Sequence, residues 1–251
     1  MKAIGIIPAR FGSTRFPGKP LALINGQPLL KWVIDGAKTS KLLSEIAVAT
    51  DDERIAALAR SSGVRALMTV SDLPTGTDRI YQAALQIEGL ADDDVIVNIQ
   101  GDEPLIDGTL LDRLVEPFRE DAGLSMATLG RTLDQDSLHS PNTAKIILNK
   151  RGEAMYFSRL PIPFTRMEGH APYEGALKHI GIYAYRRKFL RDFCAEKPAA
   201  IELAESLEQL RALYLGARIK VVRVEHDSWG VDTPDDILKI ERLMRERTNA
   251  R

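Results

Sequence analysis

Residues 3–20 read Ala3-Ile4-Gly5-Ile6-Ile7-Pro8-Ala9-Arg10-Phe11-Gly12-Ser13-Thr14-Arg15-Phe16-Pro17-Gly18-Lys19-Pro20, an apolar run that gives way to a basic, glycine-bearing loop. Ala3 to Ile7 is too short for a helix and apolar at consecutive positions. That is the pattern of a strand buried on both faces, as in a parallel sheet. The periodicity beyond it agrees. A helix is expected from about Pro28 to Ala37, a strand from Glu45 to Thr50, and a helix capped by Asp51 and reaching about Ser62. A strand follows over Arg65 to Thr69, then a helix from Thr77, its cap, to about Glu88 and a strand over Asp94 to Ile99. Thr109 to Arg119 reads as another helix and Ser125 to Leu129 as another strand. Strands alternating with helices imply an α/β fold with a mostly parallel sheet and helices on both faces. Such sheets bind ligands beyond the carboxyl ends of their strands, so the loops after Ile7, Thr50 and Ile99 should line a site.

The second half reads differently. Ala144 to Leu148, Ala154 to Phe157 and Lys178 to Tyr185 look like strands without long helices between them, which implies a smaller antiparallel section. Pro161, Pro163 and the Gly169 to Gly175 stretch read as an irregular loop. Ile201 to Leu213 is expected as one helix with Leu203, Leu207 and Leu210 on one face, followed by a strand over Ile219 to Val224. The last helix should run from Pro234 to Arg247 with Thr233 as its N-cap and proline at its first position.

The loop after the first strand carries the chemistry. Arg10, Arg15 and Lys19 place three cations within it, Gly12 and Gly18 allow backbone N–H groups to approach an anion, and Ser13 and Thr14 add hydroxyl donors. This set suits a triphosphate better than a monophosphate. The competing reading, a solvated basic loop, does not account for its place at the end of the first strand. Its glycine spacing and Pro20 exclude a Walker A motif, and it lacks the dinucleotide fingerprint.

Bulk properties bound the partners. With 34 basic against 35 acidic residues the formal charge is -1, so no basic excess favours nucleic acid. The single cysteine, Cys194, forms no intrachain disulfide and reads as a packed helix residue rather than a nucleophile. No stretch approaches the ~20 apolar residues of a membrane span, and the N-terminal apolar run is cut by Pro8. A cytoplasmic protein without membrane or nucleic-acid partners is expected. His139, His170 and His226 show no metal-ligand spacing.

Pro8-Ala9-Arg10, Ser13-Thr14-Arg15 and Pro17-Gly18-Lys19-Pro20 together resemble the nucleotide loop of sugar-activating cytidylyltransferases, most closely the CMP-Kdo synthetase (3-deoxy-manno-octulosonate cytidylyltransferase) family. Ala49-Thr50-Asp51, Gly76-Thr77-Asp78-Arg79, Asn98-Ile99-Gln100-Gly101-Asp102-Glu103-Pro104, Tyr156-Phe157-Ser158-Arg159, His179-Ile180-Gly181-Ile182-Tyr183, Leu207-Glu208-Gln209-Leu210-Arg211 and Val231-Asp232-Thr233-Pro234 follow in the family's order. The resemblance implies a Rossmann-like, glycosyltransferase-A type fold over a single domain, 1–251, with a sugar-binding and dimerisation section at about 131–215. It implies that CTP and the acid sugar Kdo yield CMP-Kdo and pyrophosphate for lipopolysaccharide assembly, with Mg²⁺ as cofactor and a homodimer as the assembly. Leu73-Pro74, Thr75, Leu203 and the Thr165 to Ala176 loop depart from the family's pattern, so 8-amino-Kdo is a second candidate sugar. The rival readings are a sialic-acid-activating relative and a non-catalytic nucleotide-binding regulator on the same fold, and the presence of Asp102, Asp232, Lys19 and Arg15 argues against the second.

By the same resemblance Pro8, Ala9, Arg10, Ser13, Arg15, Lys19, Thr50, Arg79 and Gln100 would bind the nucleotide, and Lys19, Arg15 and Asp102 would carry catalysis. Asp102 and Asp232 would hold Mg²⁺, whose hard oxygen-seeking character suits two carboxylates. Arg159, His179, Tyr183, Glu208 and Gln209 would meet the sugar. Each has a plainer reading. Asp102 could be a turn residue before Pro104, Asp232 a neighbour of the Thr233 cap, Arg79 a surface helix arginine and Gln100 a strand-end polar residue. His179 could be a satisfied core histidine, and Glu208 and Gln209 part of a solvated helix face.

Overall fold

The computed structural model describes residues 1–12, 16–164, 166, 175–226 and 229–249. In chain order the elements are β1 (Ala3–Pro8), a 3-10 turn (Lys19–Leu21), β2 (Leu23–Ile24), β3 (Gln27–Pro28), α1 (Leu29–Ala37), β4 (Glu45–Thr50), α2 (Glu53–Ser61), β5 (Arg65–Met68), α3 (Gly76–Ala84), β6 (Val95–Asn98) and α4 (Gly108–Glu120). Then come β7 (Met126–Thr132), α5 (Gln135–His139), β8 (Lys145–Leu148), β9 (Ala154–Ser158), β10 (Leu177–Arg186), α6 (Arg187–Ala195), α7 (Ala200–Glu205), α8 (Gln209–Tyr214), β11 (Ile219–Arg223) and α9 (Pro234–Asn249). The chain divides into two compact units, Met1–Asp112 with Ser228–Arg251, and Arg113–Asp227.

In the first unit the strands run in the order β6-β1-β4-β5, and every pairing is parallel. The consecutive apolar residues of β1 (Ile4, Ile6, Ile7), β4 (Ala47, Val48) and β6 (Val95, Ile96, Val97) are all buried, as the two-faced pattern requires. The apolar faces of α1 (Leu30, Val33, Ile34), α2 (Ile55, Ala56, Ala59) and α3 (Ile80, Ala83) complete this core. α9 returns to this unit, with proline at its first position as expected. Asp236, in its first turn, accepts the Thr233 N–H at 2.8 Å, half of a capping box. The Glu241 carboxylate of α9 takes the Asn25 N–H between β2 and β3 at 2.8 Å, and the Trp32 indole holds Ile24 O at 3.0 Å.

The second unit is built on antiparallel pairs, β7 with β10, β10 with β8 and β8 with β9, and β11 joins β7 in parallel. This is the antiparallel section expected from the shortage of helices there. Its core is richer in aromatic side chains, with Phe157, Tyr185 and Phe193 fully buried.

Several local expectations shift. The α2 cap is Asp52, whose side chain takes the Arg54 N–H, because Asp51 is turned instead toward Arg79. The α3 cap is Thr75, not Thr77, and the helix stops at Ala84. The single helix expected over 201–213 is two, α7 and α8, divided by Ser206 in the left-handed region at φ 50°. Leu203 is 66% exposed while Leu207 and Leu210 are buried, so the three do not share one face. The β2–β3 hairpin and α5 had no sequence expectation. Among the described residues, no helix is long and apolar enough to cross a membrane.

Candidate active site

In the first unit a cavity of about 270 Å³ lies beyond the carboxyl ends of the parallel strands. Pro8, Ala9 and Arg10 line it after β1, Gln100, Gly101 and Asp102 after β6, and Leu73, Pro74, Thr75, Gly76 and Arg79 between β5 and α3. Lys19, Pro20 and Asp232 complete the wall. The loop after β4 contributes nothing to it. Thr50 is buried, its hydroxyl accepting the Asp52 N–H at 3.2 Å. Ser13 and Arg15 lie outside the described residues.

Backbone geometry aims these side chains. Gly18 adopts φ 71°, a left-handed conformation that turns the chain into the short helix begun by Lys19. Its N–H closes on Phe11 O at 2.9 Å, pinning the base of the loop. The Phe11 ring is stacked in turn by the Arg54 guanidinium at 3.7 Å. At Gly101 an added Cβ would stand 2.6 Å from Pro8 O, so only glycine lets the β6 turn pass this close to β1.

Lys19, Asp102 and Asp232 converge from three distant segments. Lys19 Nζ donates to Asp102 Oδ2 at 2.7 Å and to Val231 O at 2.8 Å, with Asp232 Oδ1 at 3.7 Å. The Val231 N–H returns a bond to Asp102 O at 2.9 Å, which ties the two acidic segments together. One ammonium thus sits against two carboxylates whose side chains are 32% and 53% exposed. Hard oxygen donors around a position already occupied by a cation are a fitting donor set for Mg²⁺, which takes few protein ligands and keeps waters and phosphate oxygens. No group of three or more His, Cys, Asp or Glu side chains placed to hold a metal occurs among the described residues. The capping of α9 falls to Asp236, leaving the Asp232 carboxylate turned toward Lys19. Burial pushes the Asp236 carboxyl up, but the Thr233 and Asp232 N–H bonds outweigh it and hold the group below its ordinary value.

Arg79 is not a surface arginine. It is buried, with Nη2 3.5 Å from Asp51 Oδ2 and 3.4 Å from Ser71 O, and Nη1 on the Thr69 hydroxyl. Burial lowers its pKa, Asp51 opposes that shift, and Arg10 adds to it. An arginine stays protonated regardless, so Arg10 and Arg79, the latter offset in part by Asp51, both bring positive charge to the cavity wall.

The second unit gathers four of the remaining candidates. Tyr183 donates its hydroxyl to Gln209 Oε1 at 3.1 Å, and Gln209 Nε2 stands 3.5 Å from His179 Nδ1. The His179 ring lies 5.1 Å from Phe157 and 5.5 Å from Tyr183. Glu208 precedes α8, 3.7 Å from the Arg211 guanidinium. Burial raises the Tyr183 hydroxyl above its ordinary value, and the Glu208 charge adds to that. Arg159 is engaged otherwise. Its Nε donates to Glu205 O at 2.7 Å, Nη1 to Pro141 O at 3.0 Å and Nη2 to Ser206 O at 3.1 Å. The buried Lys145 ammonium joins the same turn through Ser140 O at 2.7 Å and Thr143 O at 2.9 Å. Sequence reasoning passed over Lys145, for which an isolated lysine in an apolar strand was the only signal.

Burial pushes the His179 imidazole from 6.5 down to about 3. The unfolded chain then takes up this proton first as pH falls. Stability from this group is complete above pH 6.5 and lost as pH drops toward 3. Thermal melts across this range should show a shallower decline for His179→Gln than for the parent chain, and parallel declines would refute the neutral ring.

The comparisons with known proteins match this arrangement. The family model described as cytidylyltransferase matches residues 4–219. A 3-deoxy-manno-octulosonate cytidylyltransferase of Bdellovibrio bacteriovorus is 56% identical over 246 residues, covering 97% of this chain and 98% of that one. Its counterpart from Trichlorobacter lovleyi is 46% identical over 98% of this chain and all of its own. A solved CMP:2-keto-3-deoxy-manno-octonic acid synthetase complexed with CTP is 40% identical and superposes with a TM-score of 0.90, covering 98% of this chain and 100% of that one. By this likeness over nearly its full length, the chain belongs to the 3-deoxy-manno-octulosonate cytidylyltransferase family of nucleotidyltransferases.

Proposed function

We propose that the protein activates Kdo, joining it to the cytidylyl group of CTP to give CMP-Kdo and pyrophosphate for lipopolysaccharide assembly in the cytoplasm. The observation that carries this reading is the convergence of Lys19, Asp102 and Asp232 on one wall of the cavity that Arg10 and Arg79 also line. Pro8, Ala9, Gln100 and Arg79 border the place for the base and ribose, and Arg10, Arg15, Ser13 and Lys19 are assigned to the phosphates. Asp102 and Asp232 would hold Mg²⁺, which would supply neutralisation of the phosphate charge. The chain's own part is positioning and electrostatics. Arg10 and Lys19 fix the triphosphate, and Lys19 stabilises charge on the departing pyrophosphate. The sugar hydroxyl attacks the α-phosphorus and gives up its proton to solvent as the bond to the bridging oxygen breaks and pyrophosphate leaves.

His179, Tyr183, Glu208 and Gln209 are assigned to the acid sugar. Arg159 supports them by holding the Glu205–Ser206 turn that precedes Glu208. Leu73, Pro74 and Thr75, which depart from the family's pattern, lie on the cavity wall, so 8-amino-Kdo belongs in any substrate comparison. The 131–215 section is assigned to dimerisation, supported by the exposed apolar side chains of Leu160, Phe164, Leu203 and Tyr214. Sedimentation as a monomer would remove that assignment.

The test is pyrophosphate release with CTP, Mg²⁺ and either sugar. Release with Kdo, lost on adding chelator, is the expected result. Release with the amino sugar alone would change the substrate, and release with neither sugar would overturn the proposal.

A further inference from the structure

Thr128 lies where β7 and β10 lose register. Leu129 pairs with Ile180 but Thr128 pairs with Tyr183, so the register shifts across a bulge at Gly181 and Ile182. Thr128 is fully buried, and its hydroxyl reaches into the bulge. Its oxygen stands 2.9 Å from Ile182 O, 3.2 Å from Ile180 O and 3.0 Å from His179 Nε2.

The hydrogens in this cluster can be counted. A carbonyl oxygen only accepts, and a threonine hydroxyl has one hydrogen. If that hydrogen pointed at His179, three oxygens would crowd together with none between them. It therefore serves the bulge carbonyls, and His179 Nε2 must be the donor to Thr128. A neutral imidazole carries one N–H, so Nδ1 is bare and accepts from Gln209 Nε2. This leaves Gln209 Oε1 to accept from the Tyr183 hydroxyl. The donors run one way, from Tyr183 to Gln209, to His179, to Thr128 and into the bulge. Burial keeps the ring neutral, consistent with this count.

We propose that Thr128 is a positioning residue for sugar binding, its buried hydroxyl fixing His179 as the Nε2–H tautomer and thereby setting the orientation of the Gln209 amide. The inference rests on the assignment of His179 and Gln209 to the sugar. The other tautomer would turn that amide over, exchanging donor for acceptor where a sugar hydroxyl or carboxylate meets it. Valine at this position keeps the shape of threonine but cannot accept from Nε2–H, and serine restores the hydroxyl.

The experiment measures ¹⁵N shifts of the histidine side chains in labelled full-length protein, with steady-state kinetics for Kdo and CTP, in the parent chain, Thr128→Val and Thr128→Ser. In the parent chain His179 should show a protonated Nε2 and a bare Nδ1. Thr128→Val should shift the proton toward Nδ1 and raise KM for the sugar about tenfold, as expected when a buried donor loses its acceptor. KM for CTP should stay within about twofold, the split expected of a group that acts only on the sugar, and Thr128→Ser should restore both readouts. An Nδ1–H tautomer in the parent chain would overturn the proposal, whether or not the valine variant folds. So would an unchanged sugar KM in a folded Thr128→Val. A parent chain that turns over no acid sugar yet switches tautomer in Thr128→Val would overturn the substrate assignment and retain Thr128's control of His179.

Discussion

Asp102→Ala should lower kcat/KM for nucleotidyl transfer by roughly a hundredfold or more, about 3 kcal/mol of transition-state stabilisation. The carboxylate's aim is built into the fold. β6 delivers the chain to Gly101, whose missing Cβ allows close passage over Pro8, and the Val231 N–H holds the Asp102 carbonyl at 2.9 Å. Removing the side chain leaves Lys19 with Asp232 at 3.7 Å and Val231 O. The cluster then passes from one ammonium against two carboxylates to one against one, and a metal ion would lose one of the two carboxylates proposed to hold it. Because Asp102 is partly exposed, the stability cost should be small, within about 1 kcal/mol. The pairing of large kinetic loss with small stability loss is the diagnostic. Steady-state rates over a range of Mg²⁺ concentrations, with a thermal melt of the same sample, would check it. Activity within a few-fold of the parent chain would remove Asp102 from the reacting centre.

Arg211→Met should cost about 3–5 kcal/mol of folding stability, the range for breaking a buried ion pair from one side. Arg211 and Glu202 form a bidentate pair, Nε to Oε2 at 2.8 Å and Nη2 to Oε1 at 2.7 Å, and both residues are buried. The guanidinium also donates to Phe193 O and Glu196 O and lies 4.4 Å over the Phe193 ring. Methionine fills much of the volume but leaves the Glu202 carboxylate without its countercharge. Glu202→Gln with Arg211→Met should therefore be less harmful than the sum of the two single changes. Urea denaturation would measure all three. A single-variant cost below about 1 kcal/mol would mean that the pair is relaxed and hydrated in solution. Because α8 begins at Gln209, the destabilised variant should also bind sugar less well.

The parallel half of the fold was legible because its signals are local. Consecutive apolar residues in β1, β4 and β6 and the helical spacing between them need no knowledge of distant contacts. Errors came where two neighbours could serve equally. Asp51 and Asp52 are both competent caps, and the choice fell to Asp52 because Arg79, a residue of another helix, draws Asp51 away. The helix read over 201–213 has good local propensity throughout. It breaks because Glu205 accepts from the Ser158 hydroxyl at 2.7 Å and the Arg159 N–H at 2.9 Å, while the Arg159 side chain grips the carbonyls of Glu205 and Ser206. Those partners lie over forty residues away, and no periodicity records them.

By itself the sequence determined the βαβ order, the cationic loop after the first strand and the charged residue types available to the site. These are properties of short windows, set by side-chain volume, charge and backbone permissiveness. Only the tertiary structure decided which of those groups meet. It brought Asp232 to Lys19 across 213 positions of chain, committed three Arg159 nitrogens to backbone carbonyls and buried Arg79. It also placed Thr128, a small polar residue within an apolar strand, against the one ring nitrogen of His179 whose proton it can fix. Donor and acceptor roles of buried polar groups depend on every neighbour within hydrogen-bond reach, and those neighbours are assembled only when the strands pair.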